Sequence, residues 1–303
     1  MIAIMEEKRH IPVMLDEVLE YLNLKASQTI VDATMGTAGH SRAILEKIMP
    51  GGRVIGIDRD QESLDLAKKK LEEYRGCVDF VYGNFSDVDA ILNNINVSRI
   101  DGILFDLGIS SFQLDNADRG FSFQSEGPLD MRMDRNSYIS AYDLLNNLNE
   151  EEISNLLKAF GQERWHNRIA HNLVMERQRH PIATTSQLSS IVVSSIPHRY
   201  RHYRFRIHPA TRTFQAIRIA VNRELEALET AITKSVGFLG RGCRICVISF
   251  HSLEDRIVKL TFRKLAGEGS VKIITPKPLT PAETEIMENP SSRSSKFRVA
   301  EKL

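Results

Sequence analysis

The residues best able to do chemistry sit at the ends of short apolar runs. Asp32 closes the run Thr29-Ile30-Val31 and opens the turn Asp32-Ala33-Thr34-Met35-Gly36-Thr37-Ala38-Gly39-His40. Gly36 and Gly39 permit positive φ and close approach of the backbone to a ligand. About twenty residues on, Val54-Ile55-Gly56-Ile57 ends in Asp58, whose carboxylate can accept both hydroxyls of a ribose. Such a pair suits a nucleotide-like cofactor. The glycine spacing is not the G-x-G-x-x-G that admits a pyrophosphate, and Asp32 directly before the turn would repel one. A carboxylate there suits a cation. S-adenosylmethionine carries a sulfonium, an ammonium and a ribose but no phosphate, so it is the expected cofactor ahead of a nicotinamide dinucleotide.

A third run, Ile100–Phe105, ends in Asp106-Leu107-Gly108. The lone pair of an exocyclic amine is conjugated into its ring, which makes methylation hard. A carboxylate and a nearby carbonyl, each accepting an N–H, would pull that nitrogen toward tetrahedral geometry and aim it at a methyl group. Asp106 and the Leu107 carbonyl are spaced for this. The competing reading is an Asp that caps the next turn.

These acids need a frame. Strands at 29–32, 54–58, 78–82 and 100–106 alternate with helical stretches at 41–49, 61–74 and 87–95. The strands are continuous apolar runs, the mark of a parallel sheet buried on both faces, so a doubly wound α/β fold is expected. The pattern stops after Asp106. Loops occupy 108–136, helical periodicity runs from 141 to about 195 with interruptions at Pro181 and Pro197, and one long amphipathic helix is expected over 213–236. Strand 244–250, helix 255–264 and a strand pair at 271–274 and 297–300 follow. A helical module is thus inserted between the fourth and fifth strands.

The chain has 303 residues, 42% hydrophobic, with a net charge of +1. That excludes a mainly disordered chain. The neutral total is a cancellation. Residues 1–110 hold twelve Lys+Arg against eighteen Asp+Glu, a net of −6. Residues 161–213 hold nine Arg, no Lys and two Glu, a net of +7. The densest stretch, His198–Arg206, interleaves Arg199, Arg201, Arg204 and Arg206 with Tyr200, Tyr203 and Phe205. Arg forks match phosphates and rings stack on unpaired bases, so this run is expected to contact single-stranded or looped RNA. A solvated loop is the alternative. Three cysteines make no disulfide framework, no 18-residue apolar run exists, and the N-terminus lacks a signal-peptide core. A soluble protein of the reducing cytoplasm is expected, with no membrane contact and no metal. Cys243-Arg-Ile-Cys246 lacks the second half of a zinc site. Ser252-Leu-Glu-Asp255 reads as a capping box rather than hydrolase chemistry. Trp165 reads as packing; the sequence assigns Asp130 and Asp134 no role of their own, ordering the loop over the site being one reading.

Long segments of the chain resemble the bacterial family of 16S rRNA cytosine-N4 methyltransferases that act at the decoding centre. They include HIPVMLDEVLEYL at 10–22, DATMGTAGHS at 32–41, GNFS at 83–86, DLGISSFQLDNADRGFSF at 106–123, GPLDMRMD at 127–134, HPATRTFQAIRIAVNRELE at 208–226 and SFHSLEDRIVK at 249–259. The resemblance implies a Rossmann-like class I methyltransferase domain in two parts, 1–112 and 214–303, split by a helical substrate-recognition domain at 113–213. It implies S-adenosylmethionine contacts at Ala38, Gly39, His40, Asp58, Phe85, Asp106 and Gln113, beside the turn glycine Gly36. It also implies a cytidine of 16S rRNA as substrate, in an assembled or nearly assembled small subunit. Without the resemblance Phe85 reads as core, and His40, a candidate catalytic base by type, reads from its place in the turn as a residue that shapes it or bonds the ligand. Ala38 stands where the family usually has a glycine, and its methyl fits if φ there is negative. Related readings are amine methylation in DNA or another RNA, a nicotinamide oxidoreductase, and a non-catalytic assembly factor. The oligomeric state stays open, a homodimer included.

Overall fold

The computed structural model describes residues 11–201 and 207–303, which fall into two compact units. One combines the residues up to Gly108 with Leu225–Leu303; the other is Ile109–Glu224.

The first unit is built on a seven-stranded sheet: β1 Thr29–Asp32, β2 Arg53–Asp58, β3 Val78–Tyr82, β4 Ile100–Asp106, β5 Leu239–Ser249, β6 Val271–Ile273 and β7 Lys296–Lys302. The order is β3-β2-β1-β4-β5-β7-β6. β1 to β5 run parallel, and β7 is antiparallel to both β5 and β6. This is a Rossmann-like α/β fold. Its apolar runs fill both faces, as continuous hydrophobic strands must. Val31, Ile55, Phe105 and Val247 pack on one side with Leu228, Ile232 and Phe262. Ile30, Val54, Leu104 and Ile248 pack on the other with Met14, Val18, Ile44 and Leu45. Strand order reverses between β1 and β4, so the carboxyl ends of these two strands open the crevice where such sheets bind ligands.

The second unit is helical. Its helices Ala141–Asn147, Glu150–Gly161 and Thr185–Ser195 each begin with a capping box, at Ser140, Asn149 and Thr184. Its core joins Phe121, Leu129, Met131, Ile153, Leu157, Ile169, Leu173 and Leu188 to Phe214 and Ile217.

Two expectations need correction. The helix expected over 213–236 is two helices, Thr211–Asn222 and Glu224–Ser235, broken at Arg223, whose φ is 48°. Asn222 causes the local commitment. Its side chain accepts from Met133 N–H (2.8 Å) and donates to Met131 O (2.7 Å). The boundaries of the helical insert also move, from 113 and 213 to Ile109 and Glu224. Phe214, Ala216 and Ile217 belong to the helical core. Gly161 lets the first turn of Thr211–Asn222 come close, since a Cβ there would lie 2.6 Å from Arg212 O.

Candidate active site

Asp32, at the end of β1, is buried, and its Oδ2 accepts the Ser41 hydroxyl at 2.6 Å. Burial raises its carboxyl above the usual range, with Ser41 pulling the other way. Next in the chain, Thr34 Oγ1 accepts Asp106 N–H at 2.7 Å and so ties the end of β4 to the turn after β1. Neighbouring strands make this link, and Thr34 carried no signal in the sequence that marked it.

The turn passes through two left-handed residues, Gly36 (φ 52°) and Ala38 (φ 66°). The negative φ that would suit Ala38 is not what the chain adopts. Its N–H donates to Met35 O (2.8 Å) and its carbonyl accepts Arg42 N–H (3.1 Å), so the residue must reverse the chain into helix Gly39–Ile48. The methyl is buried in the core that also holds Met14 and Ile44. At Gly39 the need is space, because a Cβ would lie 2.8 Å from Pro12 Cγ.

Asp58 ends β2. Its Oδ2 accepts Gly36 N–H at 2.7 Å and its Oδ1 accepts Asp60 N–H at 2.8 Å. Burial pushes the carboxyl up to about 6 against these two bonds. Each carboxylate oxygen keeps a further lone pair, so the pair of hydroxyls expected there has acceptors left.

Asp106 ends β4 with its side chain 25% exposed, yet Oδ1 is buried and has no hydrogen-bond partner among the described residues. Oδ2 lies 3.5 Å from His40 Nδ1. Burial pushes this carboxyl up to about 6; His40 opposes, while Asp32 and Glu254 add to the rise. His40 is itself buried, with Nε2 3.0 Å from Val13 O. Leu107 N–H continues the ladder to Ile248 O (3.0 Å).

Glu254 was not singled out by sequence. Its Oε2 accepts Phe250 N–H (2.8 Å) and His251 N–H (3.3 Å), and its own N–H approaches His251 Nδ1 (3.4 Å). The capping box of helix Ser252–Gly267 is therefore His251 with Glu254, one residue earlier than the Ser252–Asp255 expected. Asp255 instead pairs with Arg298 (2.7 Å) and Lys296 (3.2 Å) of β7. Cys243 and Cys246 are free thiols three apart on β5. Odd spacing on a strand turns two side chains to opposite faces, so they form no metal pair.

Phe85 opens a short turn, Phe85–Asp87, and meets Phe105 edge-on with ring centroids 5.8 Å apart. That is the margin of the core. Gln113 belongs to the second unit, where its Oε1 accepts Ser110 N–H (3.1 Å) and Ser110 Oγ accepts its N–H (3.2 Å). The S-x-x-Q spacing is itself a capping-box signature. Asp130 and Asp134 order the loop of the second unit. Asp130 grips Arg132 with both oxygens (2.6 and 2.9 Å), and Asp134 Oδ1 accepts Asn136 N–H (2.8 Å). Against the upward push of burial, Arg132 holds the Asp130 carboxyl below its usual range. Arg119, fully buried, donates to the carbonyls of Arg132 and Met133 (3.0 and 2.9 Å).

In the arginine-rich segment, Arg199 and Arg201 fall in the short helix His198–Arg201, while Arg204 and Arg206 lie outside the described residues. Others have structural partners: Arg168 donates to Ser195 O (2.9 Å) and Arg179 pairs with Glu176 (3.2 Å). Trp165 is more than packing, since Arg164 lies 4.8 Å from its ring centroid and 5.2 Å from that of Tyr200. No described helix is long and apolar enough to cross a membrane.

A family model described as the MraW methylase family matches residues 7–303. The ribosomal RNA small subunit methyltransferase H of Halothermothrix orenii is 47% identical, over 97% of this chain and 98% of that protein. The protein of the same name from Clostridioides difficile is 46% identical, over 98% of this chain and 100% of its own. That of Trichlorobacter lovleyi is 46% identical, over 99% and 100%. Matches of this extent take in the turn after β1, the end of β4 and the helical unit alike, and the chain belongs to the MraW methylase family.

Proposed function

We propose that this enzyme transfers a methyl group from S-adenosylmethionine to the exocyclic N4 amine of a cytidine in 16S rRNA, at the decoding centre of the small ribosomal subunit. The observation that carries the reading is the partly exposed carboxylate of Asp106 at the reversal point of the sheet. Asp32, Asp106 and Glu254 gather there with His40 as their basic neighbour. Such a group of acids favours a cationic ligand and repels phosphate. Gly36, Ala38, Gly39, His40, Asp58, Phe85, Asp106 and Gln113 are the residues proposed to hold the cofactor. When bound, the cofactor supplies an electrophilic methyl group on a cationic sulfur. The Asp106 carboxylate and the Leu107 carbonyl accept the two N–H groups of the amine, which directs its lone pair, and Asp106 takes the proton released. The amine must leave its stack to reach them, so local rearrangement of the rRNA accompanies catalysis. Arg199, Arg201, Arg204 and Arg206 are proposed to grip rRNA phosphates.

The decisive experiment is mass spectrometry of rRNA nucleosides from cells lacking this gene. Loss of N4-methylcytidine at one 16S position is expected; an unchanged nucleoside profile overturns the reading. Calorimetry that finds binding to NAD and none to S-adenosylmethionine would overturn it as well.

A further inference from the structure

Two segments of the first unit take no part in the transfer chemistry, yet they meet against the turn after β1. One is the stretch Ile11–Met14, which leads into helix Leu15–Tyr21. The other is helix Glu283–Glu288, near the opposite end of the chain. Pro12 abuts Gly39 so closely that a Cβ on the glycine would lie 2.8 Å from Pro12 Cγ. The Val13 carbonyl is 3.0 Å from His40 Nε2, and both residues are buried. Residues 12 and 13 therefore brace the last two residues of the turn. Met14, next in line, takes a left-handed conformation (φ 52°). That conformation is unfavourable for a residue with a side chain and persists only where neighbours hold it. The neighbours that hold it come from far along the chain. Glu285 Oε1 accepts Met14 N–H at 2.7 Å, and Asn289 Nδ2 donates to Ile11 O at 2.9 Å. Asn289 N–H in turn donates to Glu285 O, so the two gripping residues move as one piece. The Met14 side chain cannot cap its helix, and the carboxylate of Glu285 supplies the negative group that a helix N-terminus favours.

We infer that Glu285 and Asn289 are positioning residues for S-adenosylmethionine: they clasp Ile11–Met14 against Gly39 and His40, so that the turn has its binding shape before the cofactor arrives. The inference rests on the reading of Gly36–His40 as the cofactor's seat. That turn passes through left-handed residues at Gly36 and Ala38, and other conformations open to it once its brace moves. Ordering completed on folding is not charged again on binding, so the clasp shows itself as affinity. Loss of the clasp raises the dissociation constant and the KM for S-adenosylmethionine. Transfer by the loaded enzyme is left unchanged, because neither residue acts on the reacting groups.

The test is calorimetry of S-adenosylmethionine binding to wild type, Glu285→Ala and Glu285→Gln. The glutamine carbonyl can still accept Met14 N–H, and alanine cannot. The dissociation constant is expected to rise about 10-fold in Glu285→Ala and to stay within about 3-fold of wild type in Glu285→Gln. With saturating cofactor, kcat and the KM for small ribosomal subunits should change by less than about 3-fold in both. Wild-type affinity in Glu285→Ala overturns the inference. An equal loss in the two variants overturns it too, since Glu285 would then act by its charge and not by its grip. Hydrogen exchange of the wild-type enzyme needs no variant. Coupling is reciprocal, so saturating S-adenosylmethionine should slow exchange of the Met14 amide by a similar factor, about 10-fold. An unchanged rate overturns the clasp. In NMR spectra of wild type, the amide signals of Gly36, Ala38 and Gly39 should shift as the cofactor is added. Signals that stay in place would overturn the reading of the turn, and this inference with it. Signals that shift, beside wild-type affinity in Glu285→Ala, would overturn the inference alone.

Discussion

At Asp106, function and stability pull in opposite directions. Its carboxyl is pushed from 3.8 up to about 6 by burial first, so the ionised form that the proposed transfer requires is the form the fold disfavours. Between those values the folded chain holds a proton that the unfolded chain has released, and this contribution favours unfolding as pH rises through about 6. Asp106→Asn is expected to abolish methyl transfer while stabilising the ligand-free enzyme by about 1–2 kcal/mol at pH 8. At pH 5, where Asp106 is already largely protonated, the gain should be smaller. Urea unfolding at the two pH values, beside a methyl-transfer assay, checks both halves. Ala38 is a second case in which two terms compete. Its positive φ costs about 1 kcal/mol against glycine, and its buried methyl returns about 0.8 kcal/mol. Ala38→Gly should therefore leave stability within about 0.5 kcal/mol of wild type, whereas Ala38→Val, β-branched at positive φ, should lose more than about 2 kcal/mol. Chemical denaturation of the two variants decides it.

The elements divide into those that local pattern announces and those that distant contacts decide. β1 to β5 were legible because a strand buried on both faces has to be an apolar run. Asp32, Asp58 and Asp106 were legible because the carboxyl ends of such strands make the crevice. The break at Arg223 was not legible. No glycine or proline marks it, and what sets it is Asn222 reaching back to the carbonyl of Met131 and the N–H of Met133, about ninety residues earlier. His251 replaces Ser252 as a cap for a similar reason, since Glu254 must serve Phe250 and His251 together. Asn222→Ala should thus cost about 2–3 kcal/mol, because Met133 N–H and Met131 O lose their partner in a buried place. Hydrogen exchange of the Met133 amide should accelerate accordingly; unchanged exchange would show that another group holds the loop.

Over the whole molecule, the two charge excesses have separate uses. The acids of the first unit gather at the ends of β1 and β4. In the second unit, several arginines are engaged with carbonyls, rings or Glu176. The proposed contact of Arg199, Arg201, Arg204 and Arg206 with rRNA phosphates carries a salt dependence that can be measured. Replacing all four with alanine should lower the slope of log affinity against log salt by up to about 3, at roughly 0.7 per phosphate contact on single strands. An unchanged slope would assign the run to solvent.

One topological feature also sets a schedule. β4 and β5 are neighbours in the sheet, yet the entire helical unit lies between them in the chain. At about 5–20 residues per second, a ribosome spends on the order of 10 s on Ile109–Glu224 before the partner of β4 begins to emerge. For that interval the nascent first unit carries β4 as an unpaired edge of Ile103, Leu104 and Phe105, a template for pairing with other chains. An enzyme that serves ribosomes therefore depends, during its own synthesis, on the pace at which one delivers its last strands.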